Sequence, residues 1–427
     1  MLAGSAAQRL NSELWPLNFR QSRLRSRKSF VGLLTGLSES RRMYIGLDAL
    51  PLTGARTGVG HYTLELARAL ALLAPGSSFV MPYPANYPPI QLGETKPLPA
   101  NLKLERVPSG LLSRRWWSVG LPRYIGGSPI ELFHGTNFDI PWWRPCATVL
   151  TIHDLSQFLH SETHQRRSVR RARRRLPRLA RTADAIITPS ESIRREVCDH
   201  FQVSPEKVFA IPEAARDSFR PTPFAETTVA RRRLGVGDDF LLAVGTLEPR
   251  KNLAVLVQAF AAVAREQPDS QLQLVIAGGR GWLSGPLFAA IEHSPVRHRI
   301  LLTDYLHDDD LRSLYSACRA FIYPSVYEGF GLPPLEAMAC GAPVVVSRIP
   351  VLIETTGAAA RNFAPENVAE LTRVILELLS GASGAELRRT LSTAGQQRAA
   401  QFSWESAARA TLEVYEEARK WFRAEKP

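Results

Sequence analysis

Two glutamates set eight positions apart open the chemical reading of this chain. Glu328 and Glu336 lie in the stretch Tyr323-Pro324-Ser325-Val326-Tyr327-Glu328-Gly329-Phe330-Gly331-Leu332-Pro333-Pro334-Leu335-Glu336-Ala337-Met338-Ala339-Cys340-Gly341. The pattern predicts a strand ending near Ser325, a glycine-bearing loop, and a short helix opened by the paired prolines and closed by Gly341. At such a helix start the N–H groups of Phe330, Gly331 and Leu332 have no partner within the helix and sit at the positive end of its dipole. Phosphate or sugar hydroxyls suit that place. Glu328 on the loop and Glu336 in the helix would then grip two parts of one ligand. A dipole effect alone accounts for an acid early in a helix, but not for the apolar, glycine-spaced loop around Glu328.

A second constellation is Val244-Gly245-Thr246-Leu247-Glu248-Pro249-Arg250-Lys251-Asn252, a strand, a glycine turn at Gly245 and two adjacent cations where a helix begins. Cations there oppose the helix dipole. A bound diphosphate would reverse that cost, whereas a solvated surface pair would leave it standing. A third is Thr57-Gly58-Val59-Gly60-His61-Tyr62-Thr63, a glycine pair after the first strand, which is weak as a signal by itself. His153-Asp154 follows the strand ending in Thr151-Ile152, and His134-Gly135-Thr136-Asn137 follows an earlier one. A histidine at a strand end serves either as a capped structural residue or as a catalytic one.

In order and spacing these segments resemble the family-four glycosyltransferases, a large retaining group with the GT-B fold, and the 323–341 stretch resembles that family's E-x7-E signature. The likeness covers everything after Met43. It implies that Glu328 contacts the donor hexose beside the backbone of Phe330, Gly331 and Leu332, and that Glu336 holds the ribose. It also implies that Arg250 and Lys251 meet the diphosphate beside Gly245, with Gly58 and Gly60 across the cleft. His153 is expected to approach the donor sugar, with His134, Asn137 and Asp154 on the acceptor side. Leu132 to Asn137 and Ile152 to Leu155 look most like mannosyltransferases of bacterial surface-polysaccharide assembly. GDP-mannose is therefore the preferred donor, and a saccharide or a polyprenyl-diphosphate-linked saccharide the acceptor.

Asp308-Asp309-Asp310 offers a D-x-D metal motif, but Leu311, Leu314, Tyr315 and Cys318 follow at helical spacing. Asp308 is better read as an N-cap with acids in the first turn. No metal set then remains, no cofactor is expected, and Arg250 with Lys251 must neutralise the leaving diphosphate.

These residues need a scaffold. Strand-like runs at Met43–Asp48, Ala147–Ile152, Ala185–Thr188, Phe240–Val244, Leu272–Ala277, Phe321–Tyr323 and Pro343–Val346 alternate with helical periods, which predicts α/β architecture with parallel sheets. Leu253–Glu266 shows one apolar helical face. Two doubly wound, Rossmann-like domains facing a central cleft are expected, with ligands at the carboxyl ends of the strands. The acceptor-side domain is assigned to 43–215, a linker to 216–239 and the nucleotide-sugar domain to 240–402. A helix over 403–427, capped by Ser403, is expected to cross back toward the first domain.

The chain has 427 residues, 45% of them hydrophobic and 22% charged, with a formal net charge of +13. It holds no apolar run of the ~18 residues a membrane-spanning helix needs. Four scattered cysteines suit a reducing cytoplasm. Residues 1–42, rich in Arg and Ser, are expected to form a disordered extension or an over-long start, with a transit peptide as the alternative. Arg166 to Arg181 carries nine arginines, yet Val169, Ala172, Leu176, Leu179 and Ala183 mark an amphipathic helix docked on the sheet. Its basic face is either simply solvated or docks anionic lipid or a diphosphate-linked acceptor, a peripheral contact with the inner face of the membrane. Two other readings are a GT-B-like sugar-nucleotide epimerase and a basic nucleic-acid-binding protein. No nucleic-acid-binding module is recognisable, so no nucleic-acid partner is expected.

Overall fold

The computed structural model describes residues 42–424 apart from 55–57, 93–96, 109 and 111–114. The expectation for residues 1–42 falls, but for Arg42, outside the described residues. Residues from Arg42 onward form one compact unit.

Two sheets organise it, and every strand pair is parallel. The first contains β1 (Tyr44–Leu47), β2 (Ser78–Pro84), β3 (Leu102–Val107), β4 (Leu132–Gly135), β5 (Ala147–Thr151), β6 (Ala185–Thr188) and β7 (Val208–Ala210), in the order β3-β2-β1-β4-β5-β6-β7. The second contains β8 (Phe240–Val244), β9 (Gln273–Ala277), β10 (Ile300–Leu302), β11 (Ala320–Tyr323), β12 (Val344–Ser347) and β13 (Ala360–Phe363), in the order β10-β9-β8-β11-β12-β13. In each sheet the order reverses beside the first strand of its lobe, which opens a crevice at the carboxyl ends of the strands.

Helices bury both faces of each sheet. Leu256, Phe260 and Val263 of helix Leu253–Glu266 pack on Leu241, Leu274 and Ile276, all of them buried. Each such side chain contributes ~1.5–3 kcal/mol by leaving water. The arginine-rich segment is the helix Arg166–Thr182, whose Leu176, Leu179 and Ala180 are buried against Leu150 and Ile186 of the first sheet. The closing helix runs Trp404–Ala424 with Ser403 Oγ accepting from Ser406 N at 3.1 Å. It packs on helix Gly58–Leu73 and on β5 of the first lobe.

Two local expectations need correction. The segment 216–239 is more than a linker: Phe224–Leu234 forms a helix packed on helix Asp308–Ala317. Arg231, Arg232 and Arg233 lie in its last turn, where cations are favoured by the dipole, and Gly235 ends it at φ +70°. His307, not Asp308, takes the cap position, and all three aspartates fall in the first turn.

Candidate active site

A cavity of about 520 Å³ lies between the lobes. Segments that follow strands build it: His153-Asp154 after β5, Gly245 to Lys251 after β8, Gly278-Gly279 after β9 and Glu328 to Pro333 after β11. The cations are fixed by a 3-10 turn, Pro249–Lys251, whose next residue Asn252 is left-handed at φ 52°. Asn252 Nδ2 donates to Pro324 O at 3.2 Å and to Pro365 O at 2.7 Å, and Val326 N donates to Arg250 O at 3.0 Å. Both chemical segments are thereby locked to each other.

Glu328 is buried between the two cations. Lys251 Nζ donates to its Oε1 at 2.6 Å and Arg250 Nη1 to its Oε2 at 2.9 Å. Burial pushes this carboxyl up, but Lys251 and then Arg250 outweigh that and bring it down to about 2. Burial lowers the Lys251 ammonium against the pull of Glu328. Lys251 also donates to Tyr323 OH at 2.7 Å, and Arg250 pairs with the buried Glu248 at 2.7 Å. Glu328 is thus shared between both cations, and Arg250 has Glu248 as a second carboxylate partner.

Glu336, in helix Leu332–Ala339, accepts from Arg216 Nε at 3.1 Å and Nη2 at 2.9 Å, both on Oε1. Burial raises its carboxyl while Arg216 opposes the shift. Arg216 Nη1 reaches Asp308 Oδ2 at 2.6 Å and the His61 ring at 3.3 Å. Asp310 pairs with Arg233. Both acids of the D-x-D reading are therefore held by arginines. Among the described residues no group of three or more His, Cys, Asp or Glu is placed to hold a metal ion.

On the first lobe, His153 Nε2 donates to Thr136 O at 2.8 Å, which leaves Nδ1 facing Glu213 Oε1 at 3.4 Å. Its ring meets those of Tyr62 and Phe138 edge-on, with centroids 4.8 and 5.7 Å away. Asp154 Oδ1 accepts from Ser156 N and Oγ at 2.9 and 2.6 Å. Gly58 lines the cavity, whereas Gly60 is buried within helix Gly58–Leu73 behind it. His134 and Asn137 are not among the cavity-lining residues. His134 lies inside β4, fully buried, with Nδ1 2.8 Å from Tyr415 OH and Nε2 2.7 Å from Thr151 Oγ1. Burial drives its pKa down to about 3, so the ring is neutral and ties the closing helix to the sheet.

The lobes touch around this cavity. A Cβ on Gly329 would stand 2.0 Å from His153 O, so only glycine permits that approach. Ser190 Oγ donates to Gly329 O at 2.9 Å, and Leu155 N donates to Tyr327 OH at 3.0 Å. Gly331, at φ +103°, turns the chain into the helix Leu332–Ala339, whose first residues Leu332 and Pro333 line the cavity.

Residues 56–216 match the family described as Glycosyltransferase Family 4, and residues 226–398 the family described as Glycosyl transferases group 1. The O-antigen chain mannosyltransferase B of Escherichia coli is 32% identical over 379 residues, spanning 86% of this chain and 97% of that protein. The chain belongs to glycosyltransferase family 4. Among solved structures, sucrose-phosphate synthase from Thermosynechococcus elongatus superposes with a TM-score of 0.69 at 23% identity, covering 90% of this chain and all of that one. HepE of Anabaena, solved with UDP-glucose, gives 0.67 at 17% identity over 88% of this chain and all of its own. The fold is GT-B and the protein is a glycosyltransferase.

Four cavity residues of this family-4 glycosyltransferase escape motif reading: Glu213, Arg216, Glu248 and Trp282. Glu213 interrupts the otherwise apolar run Ile211 to Ala215 and Arg216 follows it, just where the first lobe ends, and both are buried. Trp282 reaches the other lobe, where Nε1 donates to Thr163 O at 2.6 Å.

Proposed function

We propose that this enzyme transfers mannose from GDP-mannose to a saccharide acceptor with retention of configuration, in surface-polysaccharide assembly at the inner face of the membrane. The acceptor is a saccharide linked to polyprenyl diphosphate. The observation that carries the reading is the buried Glu328 held by Arg250 and Lys251 at the mouth of a helix N-terminus. Similarity to an O-antigen chain mannosyltransferase over nearly the whole of that protein supports the sugar and the pathway class.

On this reading the donor diphosphate takes over Arg250 and Lys251, which stabilise the departing charge, and Glu328 turns to the hexose hydroxyls. Both Arg216 contacts of Glu336 fall on Oε1, so Oε2 is the oxygen left for the ribose. His153, with Nε2 committed to a backbone carbonyl and Nδ1 facing Glu213, stands in the cavity wall beside the sugar. Asp154 is engaged with Ser156 and is not placed as a free base. The acceptor hydroxyl then enters on the face the phosphate leaves, and the phosphate accepts its proton.

A thermal-shift panel of nucleotide sugars tests the donor, since a ligand at ~100 times its Kd adds ~2.7 kcal/mol of stability. GDP-mannose should raise the melting temperature above UDP-glucose and UDP-galactose; equal responses would refute the guanosine donor. Anomeric carbon–proton couplings should report an α-mannosyl product, and a β linkage would refute retention. Activity should persist in EDTA, and full dependence on added Mg²⁺ would return Asp308 and Asp310 to consideration.

A further inference from the structure

A second cavity, about 890 Å³, lies along the helix Arg166–Thr182, with Glu162, His164, Arg166, Arg170, Arg173 and Arg174 in its wall. The four arginines recur at i, i+4, i+7 and i+8 and so share one helix face. All four are exposed, and among the described residues none has an ion-pair partner. Arg175, on another face of the same helix, is paired with Asp139 and lies over the Trp142 ring at 5.3 Å. The one acid in the groove wall, Glu162, stands 3.4 Å from His160 Nδ1. The helix begins without an acid in its first turn and without a capping side chain. Arg166 in that first turn opposes the dipole, so helix formation does not account for it.

The groove abuts the donor cavity. His164 belongs to its wall and stacks on Trp282, a lining residue of the donor cavity, with centroids 5.7 Å apart and planes 28° from parallel. His164 Nε2 is 2.9 Å from Ser156 Oγ, which donates to Asp154 Oδ1 on the donor side. The partition between a site for the donor and a site for strong anions is thus one stacked pair of rings. An acceptor whose sugar reaches the donor across the Trp282 edge would place the group at its reducing end in this groove.

We propose that the groove formed by Arg166, Arg170, Arg173 and Arg174 is an acceptor subsite that binds a phosphate or diphosphate ester at the reducing end of the acceptor saccharide. The proposal rests on the transferase reading above and goes further by assigning the anion to named residues outside the donor cavity. Guanidinium groups suit the ligand because each offers paired N–H donors to phosphate oxygens. Trp282 and His164 supply the flat surface against which the intervening sugar is oriented.

The test uses the full chain and two probes, a mannobiose bearing a short alkyl diphosphate at its reducing end and its methyl glycoside. Binding is measured by calorimetry without lipid at low and high salt. The wild type should bind the diphosphate probe roughly tenfold or more tightly than the glycoside, with a preference that salt erodes. The triple variant Arg170→Gln, Arg173→Gln, Arg174→Gln should bind both probes alike. A charge-matched control, Arg167→Gln, Arg178→Gln, Arg181→Gln on the same helix outside the groove, should keep the preference. All six side chains are exposed, so both variants should melt with the wild type. Equal binding of the two probes by the wild type, or a preference that survives the groove variant, overturns the proposal. So does a charge effect that appears only with phosphatidylglycerol vesicles, which would give these arginines to a membrane surface. Nucleotide-sugar binding, followed in parallel by thermal shift, should be unchanged in both variants. Its absence in the wild type would instead refute the transferase reading.

Discussion

Replacing Glu328 by Gln tests the electrostatic core of the site most directly. Its carboxylate bridges Lys251 and Arg250 at 2.6 and 2.9 Å while buried. Burial alone would raise its pKa, yet the two cations take it from 4.5 to about 2. At ~1.4 kcal/mol per pH unit that fall corresponds to ~3 kcal/mol favouring the charged form in the folded protein. Because the folded value is the lower one, this stability is present above pH 4.5 and is lost as pH falls toward 2. Glu328→Gln removes it and leaves Lys251 without a carboxylate partner while Arg250 keeps Glu248, a change on the scale of the ~3–5 kcal/mol that breaking a buried pair costs. Lys251, already lowered by burial, limits the loss by releasing its proton, so the deficit should shrink as pH rises. For a cooperative unit of roughly 150–250 residues each kcal/mol moves Tm by ~2–4 °C, so the variant should melt ~6–20 °C below the wild type. On the proposed donor reading GDP would bring negative charge to the same cations. Its stabilising effect should therefore be larger on the variant than on the wild type, although transfer itself falls. Differential scanning fluorimetry with and without GDP reads both quantities. A variant that melts with the wild type, or gains no more from GDP, would refute the account of Glu328 as counter-ion.

Lys251→Ala and Arg250→Ala should each lower turnover by ~10²–10³ in an initial-rate assay, the scale for losing one preorganised charge stabiliser, and near-normal turnover in both would remove them from the chemistry. Gly329→Ala sets a methyl group against His153 O, at 2.0 Å in the present geometry, and must part the lobes. GDP binding should survive while turnover drops ~10²-fold, and unchanged turnover would show that this contact does not set the working geometry. A chain beginning at Met43 should fold and keep its activity, because residues from Arg42 onward form a compact unit by themselves. Loss of soluble expression in that chain would count against it.

The legible parts of the fold were those where one local period decides the outcome. Phe240 to Val244 and Leu253 to Glu266 are apolar in a strand and in a helix period respectively, and both elements fall at those residues. Five strands escaped: β2 and β3, whose sequences hold Pro82 and Pro84 and the charged Lys103, Glu105 and Arg106, and β7, β10 and β13, which are three or four residues long at the sheet edges. Such edge strands are held by the ladder beside them rather than by their own pattern. The helix Phe224–Leu234 was hidden because its stabilising features, three arginines and a following glycine, also mark a loop in sequence. They become helix-ending signals only once Thr227 and Ala230 have a surface to bury against.

The site divides along a similar line. Glu328, Arg250, Lys251 and the glycine loop were readable because each is placed by its own strand-to-loop transition, and the fold merely brings the transitions together. His134 and Asn137 were not separable from His153 on sequence, since all three follow or end a strand of the first sheet. What distinguishes His134 is Tyr415, on a helix 281 positions away, which takes one ring nitrogen while Thr151 takes the other. No local pattern carries that information. Arg216 shows the same limit from the functional side. It stands where the chain passes between lobes, and it meets Glu336 and Asp308 of the second lobe and His61 of the first. Its neighbours in sequence are alanine and aspartate, which announce nothing. A residue whose partners lie on three separate elements acquires its role from closure of the cleft, and so it belongs to tertiary structure in a way that a loop before a helix does not.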